Sequence, residues 1–286
     1  LCASVGSAPN SEVTVTYRVM HPKGETRWSV ALSATDWALD RVTQFGVKDP
    51  STGKHYLTIS TAFSGQDLWL LPAFSGVANA SLPLVGDLDA DGFDDIGAYD
   101  EQQDRVAITR GSLGTNEYEV FSIEDVPAPA YPIVGRWSAG GTDEIALVSK
   151  ATGIIYFLSR SGNEFEIYDQ LSPGVMPDGK VVAGDFDGDG VDTLGFVTIE
   201  GVFFHFEPNG NWDPDGALPL GIEVHFPLVG DWSATGEESL GLYNPIGGSF
   251  ILWDAIPVGI FYPDHAFPLG PSRVNWYPLN GYWGTP

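Results

Sequence analysis

The chain has 286 residues, 43% hydrophobic and 13% aromatic, enough for a full buried core and against intrinsic disorder despite a net charge of −25. Its 38 acids against 13 bases repel phosphate backbones and anionic head groups, which excludes nucleic acid and direct membrane insertion, and no apolar run approaches the ~18 residues of a membrane helix. A single cysteine, Cys2, leaves no disulfide framework and excludes a zinc ribbon, while 35 glycines and 21 prolines without a collagen period point to many short strands and tight turns.

Residues 1–10, LCASVGSAPN, are small and apolar and read as a signal-peptide remnant or a linker, with an ordinary free thiol at Cys2 ranked above a lipid-anchored one. SEVTVTYRV (11–19) then alternates apolar and polar residues, the pattern of a strand at a sheet edge. From there the chain repeats. PLVGDLDADGFDDIGAYD (83–100), PIVGRWSAGGTDEIALVSK (132–150), VVAGDFDGDGVDTLGFVT (181–198) and PLVGDWSATGEESLGLYN (227–244) align from their first residue, and SVALSATDWALDRVTQFGVKD (29–49) is a weaker copy ahead of them. The residue after the small-residue turn is Asp36, Asp87, Arg136, Asp185 and Asp231, at spacings of 51, 49, 49 and 46.

Each aligned position predicts a physical role. One residue on stands Trp37, Leu88, Trp137, Phe186 or Trp232, a large side chain suited to packing between sheets. Ten residues on stands Gly46, Gly97, Ala146, Gly195 or Gly241 inside an apolar strand, where a small residue predicts close approach of another backbone near a central axis. Within one copy, PLVGDL, DIGAYD, RVAITR and EYEVFSI give four strands and no helical period. Four strands per 46–51 residues is the blade of a β-propeller.

The expected fold is therefore all-β, one propeller over residues 11–286 with repeats near 27–76, 77–126, 127–175, 176–222 and 223–264. The leftover ends, 1–26 and 265–286, together make one repeat length of 48 residues, with 11–26 and 265–286 expected to supply the strands, and FPLG (267–270) echoes FPLVGDW (226–232). This predicts a sixth blade assembled from both chain ends, which would hide two sheet edges.

Two copies carry clustered acids. Asp87, Asp89 and Asp91 with Gly92, and Asp185, Asp187 and Asp189 with Gly190, place oxygen ligands at positions 1, 3 and 5 and a turn glycine at 6, with the carbonyls of Phe93 and Val191 at position 7. That is the front half of a calcium loop, and three carboxylates so close repel one another unless a divalent cation lies between them. The other copies have lost the pattern: Arg136 puts a cation at position 1, Asp231 is followed by Ser233 and Thr235, and Asp36 by Ala38.

The pattern G-D-x-D-x-D-G-x-x-D followed by an apolar-Gly-apolar strand resembles the FG-GAP/VCBS-type repeats of integrin-like β-propellers, common in bacterial extracellular proteins, over roughly residues 29–264. The resemblance implies two structural Ca2+ ions, a carboxylate at position 9 (Asp95), and a secreted or cell-surface location. The fourth copy has Thr193 at that ninth position, which leaves Asp192 or water to complete its shell.

No Gly-x-Ser-x-Gly elbow, phosphate loop or His-Glu-x-x-His helix occurs, and the five histidines fall at unrelated repeat positions. Acid pairs such as Asp143/Glu144 and Glu237/Glu238 share one turn, where solvation is the simpler account. The segment 207–221 breaks the repeat and offers Asn211, Trp212, Asp213 and Asp215. Trp212 either stacks on a sugar ring or caps the core between blades. The leading functional expectation is a secreted, calcium-stabilised binding or adhesion module for an extracellular glycan or protein. The alternatives are a polysaccharide-cleaving enzyme and a self-assembling fibre subunit whose head strand completes a neighbour's blade.

Overall fold

The computed structural model describes residues 13–21, 24–32, 44–58, 68–110, 117–123, 126–127, 129–138, 141–172, 180–197, 202–205, 217–219, 226–233, 235–244, 247–255, 263–269 and 277–281. The chain divides into two compact units, residues 1–41 and 42–286. In the first, β1 (Val13–His21) and β2 (Gly24–Leu32) pair antiparallel along their whole length, from Val13↔Leu32 to His21↔Gly24.

The second unit is a ring of four-stranded antiparallel sheets. The first has β3 (Gln44–Lys48), β4 (His55–Thr58) and β5 (Leu68–Leu71). The second is β6 (Leu82–Gly86), β7 (Asp95–Asp100), β8 (Arg105–Thr109) and β9 (Tyr118–Ile123). The third is β10 (Ala130–Gly135), β11 (Glu144–Ser149), β12 (Ile155–Ser161) and β13 (Glu164–Leu171). The fourth is β14 (Lys180–Gly184), β15 (Thr193–Val197), β16 (Val202–His205) and β17 (Ala217–Pro219). The fifth is β18 (Phe226–Gly230), β19 (Ser239–Asn244), β20 (Ser249–Leu252) and β21 (His265–Pro268). Finally β22 (Tyr277–Gly281) returns to the first sheet and pairs with β3, from Tyr277↔Lys48 to Gly281↔Gln44.

The inner strands β22, β6, β10, β14 and β18 pack each against the next, and β18 against β22, so the circle closes. The described sheets make a propeller of five blades, which corrects the expected six. YPLNG (277–281) is the true fifth copy of the inner-strand pattern PLVG, and it fills the place in the first blade that residues 29–35 were expected to fill. Residues 29–32 belong instead to β2, and among the described residues the head gives no strand to any of the five sheets. Phe267 and Pro268, expected to open a sixth blade, are in the outermost strand of the fifth. Both ends of the ring-forming segment do meet in one blade, three strands from its start and one from its close.

Side chains between neighbouring blades explain the large residue beside four of the anchors, Leu88, Trp137, Phe186 and Trp232. The wedges form five apolar clusters. Leu57 and Phe74 meet Ile96 between blades one and two, while Phe121 and Val106 meet Ile145 and Leu158 between two and three. Val148 and Ile155 meet Val181 between three and four, and Phe186 meets Leu240 and Trp253 between four and five. Phe45 closes the circle against Trp232, Phe250 and Phe267 of the fifth blade, with ring centroids 5.4, 5.1 and 5.1 Å away.

Crowding at the axis falls elsewhere than expected. A Cβ on Gly97 would meet Leu84 Cδ1 at 2.7 Å and the Ala107 carbonyl at 2.8 Å, so its smallness serves the strands on either side within its own blade. The glycines that face another blade are those ending the inner strands. A Cβ on Gly86 would run into Val134 Cγ1, and one on Gly184 into Val229 Cγ1. The channel along the axis holds about 210 Å³ and is lined by Pro83, Pro132, Pro227 and Pro278 at matching places. An inner strand has no partner on its axial side, and proline there leaves no N–H unpaired.

Candidate calcium loops and the clips beside them

The inner strands β6, β10, β14 and β18 each end in an anchored turn, so these four turns emerge on one face of the ring. In the second blade Asp87, Asp89 and Asp91 each place a carboxylate oxygen within 4.8 Å of the others, and Asp185, Asp187 and Asp189 do so in the fourth. Backbone donors hold the triads in this pose. Gly92 N–H donates to Asp87 Oδ2 (3.1 Å), Asp91 N–H to Asp89 Oδ1 (3.1 Å) and Phe93 N–H to Asp91 Oδ1 (2.8 Å). In the fourth blade Asp189 N–H and Gly190 N–H donate to the two oxygens of Asp185 at 3.0 and 2.8 Å, and Val191 N–H to Asp189 Oδ1 at 2.8 Å. Gly92 and Gly190 have φ of 89° and 83°, a conformation that explains the glycine at position 6.

The loop fold does not by itself need three acids. Asp231 accepts from Thr235 N–H at 3.0 Å and Gly236 N–H at 2.7 Å, the same brace with hydroxyl residues at positions 3 and 5. What distinguishes the second blade is Asp87. It is 8% exposed, and its Oδ1 is buried with no hydrogen-bond donor, while the oxygens of Asp89 and Asp91 converge beside it. A buried carboxylate oxygen without a donor is costly, and a hard divalent cation is the species that this oxygen-only donor set fits.

Asp95 lies behind this triad. Burial first, then the charges of Asp89 and Asp91, push its carboxyl up to about 7, against a hydrogen bond from the Thr109 hydroxyl at 3.3 Å. In the fourth blade Thr193 is buried and turns its hydroxyl toward the Gly184 carbonyl, 3.5 Å away. Asp192 is committed elsewhere, because it joins two blades. Its N–H donates to the Arg136 carbonyl (2.8 Å), and its carboxylate accepts the Arg136 N–H (2.9 Å).

That exchange recurs around the ring. Asp143 N–H donates to the Asp87 carbonyl (3.1 Å) and its Oδ2 accepts the Asp87 N–H (2.8 Å). Glu238 N–H donates to the Asp185 carbonyl (2.8 Å) and its Oε2 accepts the Asp185 N–H (2.9 Å). In these three turns one acid thus clips its blade to the anchor of the preceding blade with two hydrogen bonds. The solvated reading of Asp143 and Glu238 is corrected. The signal was present in the repeat, since Asp94, Asp143, Asp192 and Glu238 all stand seven residues after their anchors. Burial, reinforced by Asp192, Asp94 and Asp185, raises the Glu238 carboxyl well above the carboxylate range. Asp192 is raised too, by burial and by Asp143 and Asp185.

Asn211, Trp212, Asp213 and Asp215 lie outside the described residues, as do Asp36 and Trp37. Of the histidines, His55 is wholly buried against Phe74, with its pKa lowered to about 3 by burial and by Lys48, and His265 pairs with Asp254 at 2.7 Å.

No protein-family model matches the chain, and no curated protein matches it. Among solved structures it is similar to an Agrocybe aegerita lectin described by its recognition of non-reducing terminal N-acetylglucosamine, with 12% identity, 75% of this chain and 60% of that one covered, and a TM-score of 0.42. It is also similar to the propeller of Dos1, with 16% identity, 74% and 59% coverage, and a TM-score of 0.31. The chain spans about three fifths of the length of each. The protein is an all-β propeller.

Proposed function

We propose that this is a secreted propeller of the FG-GAP/VCBS type, stabilised by calcium in its second and fourth blades, that serves as a binding or adhesion module for an extracellular glycan or protein. The observation that carries the calcium reading is the buried, undonated Oδ1 of Asp87 beside two converging carboxylates. The second-blade loop would hold the ion with Asp87, Asp89, Asp91 and the Phe93 carbonyl, with Asp95 behind them. The fourth-blade loop would use Asp185, Asp187, Asp189 and the Val191 carbonyl. Both oxygens of Asp185 already accept backbone N–H groups and Thr193 is turned away, so the fourth-blade site is the weaker. Sites of this kind in extracellular modules have dissociation constants of about 0.1–1 mM and fill at the calcium levels found outside cells.

Isothermal titration of metal-free protein with CaCl2 should resolve two classes of site, and Asp87→Asn should remove the tighter one. Absence of any calcium-dependent heat or thermal shift would remove the ion from the account. Retention on immobilised polysaccharides, compared in calcium and in EGTA, tests the binding role.

A further inference from the structure

The wedge between the second and third blades differs in its outer part. The β12–β13 hairpin carries a register shift between Phe157 and Leu158, and such irregularities sharpen strand twist. Its tip reaches the second blade, where β13 pairs with β9 in parallel at Glu164↔Ser122 and Phe165↔Ile123, and Ser122 Oγ donates to Glu164 Oε1 at 3.3 Å. The two sheets, joined axially by the Asp87–Asp143 clip and outside by this bridge, enclose a cavity of about 490 Å³. That volume lies in the range of small-molecule sites, about 300–1,000 Å³.

The floor is apolar, from Leu88, Ile108, Ile145 and Leu158, and the rim is charged. At the rim Glu119 Oε2 accepts from both Arg110 Nη2 and Arg160 Nη2, the latter at 3.3 Å. Arg160 is also fixed over the Phe121 ring, 4.4 Å from its centroid. Arg110 and Arg160 are about half exposed, with side-chain exposures of 56% and 48%. Exposed ion pairs contribute only about 0–1 kcal/mol to folding, so a triad held across two blades is not explained by stability.

We propose that this inter-blade cavity is a saccharide site for one or two neutral pyranose residues. The proposal rests on the reading of the chain as a glycan-binding module and names the site and the ligand class. Five carboxyl groups against two guanidinium groups line the cavity, and with Asp89 and Asp95 given over to calcium, Glu119, Asp143 and Glu144 still outnumber the two guanidinium groups, a balance that disfavours uronates and sulfated sugars. A neutral hydroxyl both donates and accepts, so it can bridge a guanidinium N–H and a carboxylate of the same rim, while the C–H face of the ring covers the apolar floor. Leu88 and Asp89 belong at once to the second-blade metal loop and to the cavity wall, so occupancy of that loop by calcium fixes part of the site.

The test is calorimetric titration of the whole protein in calcium with neutral tetrasaccharides (cello-, malto-, manno- and N-acetylchito-oligosaccharides) and with tetragalacturonate as the anionic counter-probe. Arg160→Ala and Glu119→Gln should each weaken the neutral ligand by about ten- to a hundredfold, the scale of one hydrogen bond to a charged group, with an unchanged thermal midpoint. EGTA should weaken the wild type as well. A neutral ligand that binds both variants as it binds the wild type would place the site elsewhere and leave the glycan reading intact. Preference for tetragalacturonate would overturn the ligand class. If no oligosaccharide binds at millimolar concentration, the glycan reading falls and this site falls with it.

Discussion

Gly86→Ala probes the crowding at the axis most directly. Gly86 does not have a left-handed φ, so alanine can adopt its backbone. In an open position the change would stabilise by about 0.4–1 kcal/mol through the unfolded state. Here the new methyl would run into Val134 Cγ1 and lie 3.1 Å from Asp143 Oδ2 and 3.3 Å from Asp143 Cβ. Neither neighbour is free to retreat. Val134 is in an inner strand paired with β11, and the Asp143 carboxylate is held by Asp87 N–H at 2.8 Å and by Arg136 Nη2 at 3.1 Å. Overpacking of this kind costs about 1–3 kcal/mol, so the net loss should be about 1–2 kcal/mol. For a domain of this size that is a fall of about 2–8 °C in thermal midpoint, measured by scanning calorimetry in calcium and checked by urea titration. Val134→Ala removes the obstructing methyl, and the double variant should recover at least about 0.5 kcal/mol relative to the sum of the singles. A Gly86→Ala protein as stable as wild type, or a strictly additive cycle, would refute the reasoning.

Calcium removal should lower the midpoint by about 2–11 °C, from about 0.4–1.4 kcal/mol per site at millimolar calcium, and Asp87→Ala should abolish the larger part of that dependence. Phe250→Ala, at a wholly buried ring stacked on Phe267, should cost about 3–5 kcal/mol in urea unfolding. Glu238→Gln tests the clip through pH. The folded-state pKa of Glu238 lies above that of an unfolded glutamate, so the group withdraws stability as pH rises from the ordinary carboxylate range through neutrality. Glutamine keeps an oxygen acceptor for Asp185 N–H without the charge, so the variant's midpoint should gain on wild type as pH rises. A pH-independent difference would contradict the assignment.

Much of the site is legible in the amino-acid order alone, because it recurs. The DxDxDG turns stand in register with the repeat, and the triads converge where the aspartate spacing placed them. The inter-blade role of Asp143 and Glu238 was equally periodic but was hidden by chemistry. An acid in a turn resembles every solvated acid, and only the neighbouring backbone shows what it accepts from. The blade count failed for a related reason. Counting leftover residues treats the head as half a blade, whereas its two nine-residue strands satisfy their ladder with each other. The YPLNG strand carries proline and glycine in the repeat's places, but the strand that it pairs with, β3, lies far earlier in the chain, so no contiguous copy reveals it.

By itself the sequence determined the β periodicity, the fifty-residue unit, the turns and the clustering of acids, because each depends on residues close along the chain. Which strand closes the ring, which acids clip one blade to the next, and where the wedge between blades two and three opens into a cavity were decided only in tertiary structure. Those features depend on pairings between segments tens to hundreds of residues apart, and many strand edges of similar character compete for each one.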